Sequence, residues 1–522
     1  VILVHEGTYT GDITINVDGL QLIAGSRPVI DGDLIVNADN VTVQGFEVTG
    51  VLETTPGSFQ NLTLTDTQIY GEVFNTSLSC NDVVNDGESI QTAIDTVGVG
   101  STVCVGPGTY TEQISIGKDL TLQAIAGTPT IQAPPSGTRT TYTIPESTAT
   151  FDPIVFARGS GAAVVNVSIS GFEIDGQSDY GPTSTRYVGV LYRNVAGAIA
   201  DNVVKDLGHN GTQTFGILVY GNSNVIISNN DVSNYGRGGI VANGDLASSP
   251  YPFPLGPNPD PIVVIQGNIV TGPGATAPQT WASNGIQISW GATGSILDNE
   301  VIGNGWPGTA WAGTGILVVD ASGVVIEGNN VHDNESAIGA GQFYATPVTG
   351  IVIRNNTVDN NEWGINVFNN ASNTIVEDNT VTNQSGDGID VWNYGWPWTS
   401  DPTGTEIHNN SIVGSGWDGA WTNVTAEVVD MENNWWGSAA GPYDPANDAG
   451  ETTEVPPCTA SPASEINADG LGDSIGDTST EVIDYCPWLS SAPAGVSLLA
   501  VPLAPRSRSV KSENPSVAQP IE

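Results

Sequence analysis

Asp387, Asp390 and Asp418 are acidic residues whose type and spacing suit bond-breaking chemistry. Hydrolysis of a glycosidic bond needs two carboxylates flanking it, roughly 5–9.5 Å apart. These three meet that condition if they fall on neighbouring repeat units. A chain with 56 Asp and Glu also brings such a pair together by chance. Trp306, Trp363 and Trp417 each lie five residues after the Val or Ile of a recurring Asn motif, where His209 and Arg237 stand in earlier units. With Trp392, Asn366 and Gln287 on the outward side of predicted strands, they define an aromatic and amide face. Indoles repeating at about one strand spacing, near 4.8 Å, suit stacking on sugar rings while amides and acids meet the hydroxyls. The competing reading is that the Trp side chains shield a sheet edge and brace loops.

Asn467, Asp469 and Asp473, around Gly470 and Gly472, place oxygen donors at alternate positions as in a calcium loop; the alternative is a plain cap sequence. No cofactor is expected, with calcium as the one possibility. Cys80, Cys104, Cys458 and Cys486 have no zinc-site spacing. They read as two local pairs, Cys80–Cys104 and Cys458–Cys486, in an oxidising, extracellular setting, with four buried thiols as the alternative. No Ser/His/Asp or Cys/His constellation and no phosphate loop stands out, so nothing commits the chain to catalysis.

The elements that must position these residues follow from a repeat. Ile/Val-x-x-Asn-x-Val recurs with its Asn at Asn202, Asn230, Asn268, Asn299, Asn329, Asn356, Asn379, Asn410 and Asn434, the last two ending in Ile412 and Trp436. Between these segments stand strands that open with Gly, such as GIQIS from Gly285 and GINVF from Gly364. Units of short alternating strands and turns predict coils of a parallel solenoid, with stacked Ile and Val inside. Asn tolerates the left-handed turn conformation, and its amide can bond the coil above, so the nine residues predict a structural ladder. Strand alternation points Ile365, Val367, Ile389 and Val391 inward and Asn366, Phe368, Asp390 and Trp392 outward.

Composition bounds the partners. The 522 residues carry 12 Lys and Arg and a net charge of −44, which cannot build the basic surface a nucleic acid needs. No apolar run approaches the roughly 18 residues of a membrane span. Residues 1–79 read as a small β-helical module and 80–448 as the main one, which starts with a short capping helix near 89–96. A C-terminal cap follows at 449–489 and an extended tail or linker at 490–522. The chain opens inside a strand-like run, Val1–Val4, as a processed or trimmed product would. Irregular stretches interrupt the coils at 133–153, 245–262 and 394–405.

ENNWWGSAAGPYDPAN (432–447) followed by GLGDSIGDTSTEVIDYCPWL (470–489) resembles the C-terminal end of secreted right-handed β-helix repeat proteins. The 89–112 stretch is similar to the N-terminal start of the same pectin-lyase-like superfamily. The resemblance spans about 80–489 and departs from the pattern at the 449–469 insertion, which a Cys458–Cys486 bridge would staple. It implies an all-β, right-handed parallel β-helix, and leaves function open because the superfamily holds lyases, hydrolases, epimerases, adhesins and structural proteins. The Asn-Thr-Asp, Asp-Asp and Gly-His-Gly motifs of its galacturonan hydrolases are absent. The leading expectation is a secreted or cell-surface structural or adhesive protein that self-associates head to tail into a filament through its first coil and its tail. The alternative is a polysaccharide-acting enzyme, or a non-catalytic glycan binder, using the Trp-lined face.

Overall fold

The structure, a computed structural model, describes residues 1–493 except 26, 55–61, 70–71, 75–77, 126, 144–149, 162, 180–184, 209–212, 245–259, 278–279, 309–311, 344–347, 394–399, 426, 445–451, 454–464, 468 and 477–482. His209, Cys458, most of the two later loops and the tail beyond 493 therefore lie outside the described residues. So does the tail half of the head-to-tail expectation.

Three long sheets, of 14, 13 and 11 strands, run the length of the main body. Each strand pairs in parallel with its counterpart one coil on, apart from one antiparallel strand, Tyr142–Thr143, at the margin of the second sheet. The pairing follows from the repeat, because identical positions in successive units fall opposite one another. In the 11-stranded sheet Val204, Val232, Val270, Val301, Val331, Val358, Val381 and Ile412 form one in-register column. In the 13-stranded sheet Ile286, Ile316, Ile338, Ile365 and Ile389 form another. All are fully buried in one continuous core. Burial of each such side chain contributes about 1.5–3 kcal/mol, and no coil gains this without its neighbours.

The expected capping helix is α1 (Ile90–Thr96), with Ser89 as its N-cap. Ile90, Ala93 and Ile94 plug the end of the core. Glu112, from the following coil, accepts the N–H groups of Ile90 (2.7 Å) and Gln91 (3.2 Å) at the helix N-terminus. Residues 2–80 form two five-stranded sheets and a three-stranded sheet that share no strand with the long ones. Their apolar residues cluster with Val83, Cys104 and Ile125 of the first main coils. Cys80 and Cys104 are joined by a disulfide. Cys486 is also disulfide-bonded.

The nine-Asn ladder is continuous. Each ladder Asn from Asn202 to Asn410 donates its backbone N–H to Oδ1 of the next at 2.8–3.1 Å. Each also sends its Nδ2 to a carbonyl of the coil before, as Asn299 does to Ile265 at 2.9 Å. One expectation is corrected. The left-handed residue is not the ladder Asn but the one before it: Asp201, Asn229, Gly267, Asp298, Gly328, Asn355, Asp378, Asn409 and Asn433. The turn needs a positive φ one position earlier, and Asp, Asn or Gly supplies it at low cost. The ladder Asn is then free to aim its amide along the stack.

Candidate functional site

The outer face of the 13-stranded sheet carries the residues singled out above. Asn366 pairs with Asp390, Asp390 with Trp421, and Phe368 with Trp392. Asp387 and Asp418 lie on adjacent coils, the Asp387 Oδ1 accepting the Asp418 N–H at 2.9 Å. The three acids are thus brought to neighbouring coils. Asp387 and Asp390 are each only 1% exposed, and Asp418 is half-buried. Ser474 Oγ donates to Asp418 Oδ1 at 2.8 Å.

The outward aromatic column differs from expectation. Trp392 and Trp363 are 1% and 4% exposed, and Asn366 and Gln287 are buried as well. Trp392 packs with Leu317, Val319, Phe343, Phe368 and Trp421 in an apolar cluster. Gln287 belongs to a hydrogen-bonded set, taking the Asn284 amide at 2.9 Å and donating to Ser289 Oγ at 2.8 Å and Asn243 Oδ1 at 3.3 Å. Arg237 is buried too, donating to the Ala282 carbonyl at 2.7 Å. Strand alternation gave the direction of these side chains correctly, but pointing away from the solenoid core does not mean facing water. Trp363 is the first residue of the strand Trp363–Phe368, and its ring meets Trp417 edge-on at 6.4 Å.

Trp306 remains half-buried, in the wall of a groove of about 430 Å³. Among the described residues Asp333, Glu335, Asn360, Glu362 and Ser385 line it, with no Lys or Arg. Its floor is a second amide ladder that sequence reading missed. Asn304 N–H bonds Asn334 Oδ1 (2.9 Å), Asn334 N–H bonds Asn361 Oδ1 (2.9 Å), and Asn361 N–H bonds Gln384 Oε1 (3.0 Å). The signal was present, since each stands five residues after a residue of the first ladder. Tyr235 donates to Asn304 Oδ1 at 2.6 Å and extends the column. The His332 ring lies 2.7 Å from the lining residue Asp333 and 3.4 Å from Glu300. Burial alone would lower the His332 pKa, but these two acids outweigh it and raise it. In return the His332 bond holds the Asp333 carboxyl below its usual range.

The calcium-loop candidates Asn467 and Asp473 take separate protein partners. Asn467 turns its amide nitrogen to the Ala440 and Pro442 carbonyls, both at 2.8 Å. Asp473 accepts the Gly414 and Ser415 N–H groups at 3.0 and 2.8 Å, and Asp469 is exposed. Burial raises the Asp473 pKa against those two bonds, with Asp418 nearby adding to the rise. These contacts tie the cap to the last coils. Among the described residues no group of three or more His, Cys, Asp or Glu is placed to hold a metal ion.

A family profile described as "Right handed beta helix region" matches residues 215–412, a stretch that holds the first ladder from Asn230 to Asn410, the second ladder and the groove. The coiled body is a right-handed parallel β-helix. Solved structures of similar architecture include the A-module of the mannuronan C-5 epimerase AlgE4 of Azotobacter vinelandii. It is 16% identical with a TM-score of 0.47, over 68% of this chain and 94% of that one. The Dettilon tailspike protein (gp208) is 15% identical with a TM-score of 0.38, over 76% and 68%. The GH136 lacto-N-biosidase of Eubacterium ramulus is 12% identical with a TM-score of 0.39, over 66% and 64%. No curated protein matches the chain in sequence. Within the β-helix no helix among the described residues is long and apolar enough to cross a membrane.

Proposed function

We propose that this β-helix is an extracellular glycan-binding protein that takes a polysaccharide of neutral or cationic sugars along the Trp306 groove. The observation that carries the reading is Trp306 itself, a half-buried indole beside carboxylates and amides over a rigid amide floor. A pyranose face stacks on the indole while Asp333, Asn360 and Glu362 meet its hydroxyls or ammonium groups. Among the described residues the lining has acids and no Lys or Arg, so a polyuronate is repelled. The Cys80–Cys104 disulfide supports an oxidising location. Binding is tested by titrating cellohexaose, glucosamine hexamer and polygalacturonate. One of the first two binds, the third does not, and Trp306→Ala loses the binding. If none of the first two binds, or Trp306→Ala binds as the parent does, the reading fails.

A second reading, glycoside hydrolysis, rests on Asp387, Asp390 and Asp418 gathered on adjacent coils. It requires turnover of an oligosaccharide that Asp390→Asn abolishes while binding at Trp306 persists.

A further inference from the structure

Glu335 lies in the groove beside Glu362 and, by type and place, invites assignment as one member of a carboxylate pair acting on the ligand. Its hydrogen bonds indicate a different task. In the coil that carries Trp306, Gly305 precedes the indole and Gly313 immediately precedes the strand Thr314–Val319, so these two glycines form the neck of the segment that holds Trp306. The two glycines meet backbone to backbone, and a Cβ on Gly313 would lie 2.4 Å from the Gly305 Cα. One oxygen of Glu335, Oε2, accepts the N–H of Trp306 at 3.0 Å and the N–H of Gly313 at 2.8 Å. Glu335 thus bridges both sides of the neck. Its own N–H is anchored to the Asn304 carbonyl at 2.8 Å, at the second ladder. Ser283 Oγ holds the neck from the other neighbouring coil, donating to the Gly305 carbonyl at 3.0 Å. Beyond the neck, Gly308 packs so closely on the Trp306 ring that a Cβ there would lie 2.4 Å from it.

We infer that Glu335 is the positioning residue of the Trp306 sugar platform, fixing the indole through the neck rather than contacting the ligand with its charge. This rests on the glycan-binding reading. Two charge-assisted bonds to backbone N–H groups fix the indole before the ligand arrives, which lowers the ordering cost of binding. A glutamine keeps an oxygen that can accept both N–H groups. Alanine removes it, and aspartate is one methylene too short to span the neck.

The experiment compares Glu335→Gln, Glu335→Asp and Glu335→Ala in the full chain by two readouts. The first is hydrogen exchange, by mass spectrometry, of the peptide containing the Trp306 and Gly313 amides. These exchange slowly in the parent and in Glu335→Gln, and faster in the other two. The second is titration of cellohexaose and glucosamine hexamer. The oligomer that binds the parent keeps its affinity within about threefold in Glu335→Gln and loses about tenfold or more in Glu335→Ala and Glu335→Asp. If Glu335→Gln loses affinity as fully as Glu335→Ala while its neck amides stay protected, the carboxylate acts on the ligand and the inference is overturned. Unchanged exchange in Glu335→Ala overturns it as well. If the parent binds neither oligomer, the glycan reading has failed, and the exchange data still decide whether Glu335 holds the neck.

Discussion

Trp363 and Trp417 stand two coils apart, yet their rings meet edge-on at 6.4 Å because the coil between them presents Gly386. A Cβ on Gly386 would lie 2.7 Å from the Glu362 carbonyl oxygen and 3.1 Å from the Trp363 Nε1. The sequence therefore alternates a large ring with no side chain, which lets two indoles share the space of three coils. Gly386→Ala is expected to force the rings or the backbone apart at a cost of about 1–3 kcal/mol. A lowered thermal transition with an altered near-ultraviolet aromatic signal is the outcome to look for. An unchanged signal would mean that the pair tolerates separation.

The ladder predicts a larger effect. Asn329 accepts both the N–H and the Nδ2 of Asn299 on its Oδ1, and sends its own Nδ2 to Ile296 O and Asn356 Oδ1, all at 2.9 Å. Asn329→Ala strands buried polar groups on two neighbouring coils. About 3 kcal/mol or more of stability should be lost, because each unmet buried group costs about 1–3 kcal/mol. Denaturant unfolding measures this directly. Asn329→Asp is also expected to be destabilising, since a carboxylate cannot donate to Ile296 O.

Asp484 gives the fold a pH dependence. Burial, together with Glu432 and Asp430, raises its pKa from 3.8 to about 6. Between those values the folded chain holds the proton more tightly than the unfolded chain, so stability from this group falls as pH rises through the window. The penalty is absent below the lower value and complete above the upper one. Asp484→Asn should therefore melt higher than the parent at pH 7–8, with the difference vanishing below about pH 4. A difference of the opposite sign at pH 7–8 would show that the carboxylate is stabilised in the fold.

The Cys80–Cys104 bridge closes a loop of 24 residues that contains α1. Replacing both by Ser is expected to cost about 3 kcal/mol through the freedom regained by the unfolded chain. Faster proteolysis between residues 81 and 103 is the measurable consequence.

Much of the fold is legible in the sequence because, in a stacked solenoid, a residue's neighbour in space is its counterpart one unit on. The nine Asn, the Val column from Val204 to Val381 and the direction of Asn366, Asp390 and Trp392 could be read from spacing alone. Even the second ladder, at Asn304, Asn334, Asn361 and Gln384, repeats at a constant offset. The placement of the left-handed residue before each ladder Asn is likewise written in the Asp, Asn or Gly that precedes it.

What only the tertiary structure decided lies where the period breaks. Between Asn304 and the strand from Thr314 the chain has residues without a counterpart in the next coil, where Ser336 opens a strand two residues after Asn334, so no spacing rule says which acid holds Trp306 and Gly313. Glu335 is an ordinary Glu in sequence and becomes a clamp because two backbone N–H groups from either side of a neck arrive at one of its oxygens. Trp392 and Gln287 are outward by alternation, but burial depends on what lies over a strand, and local periodicity carries no record of that. The repeating hydrogen-bond and packing pattern set the scaffold, and the aperiodic contacts between coils set which of its acids and rings meet water.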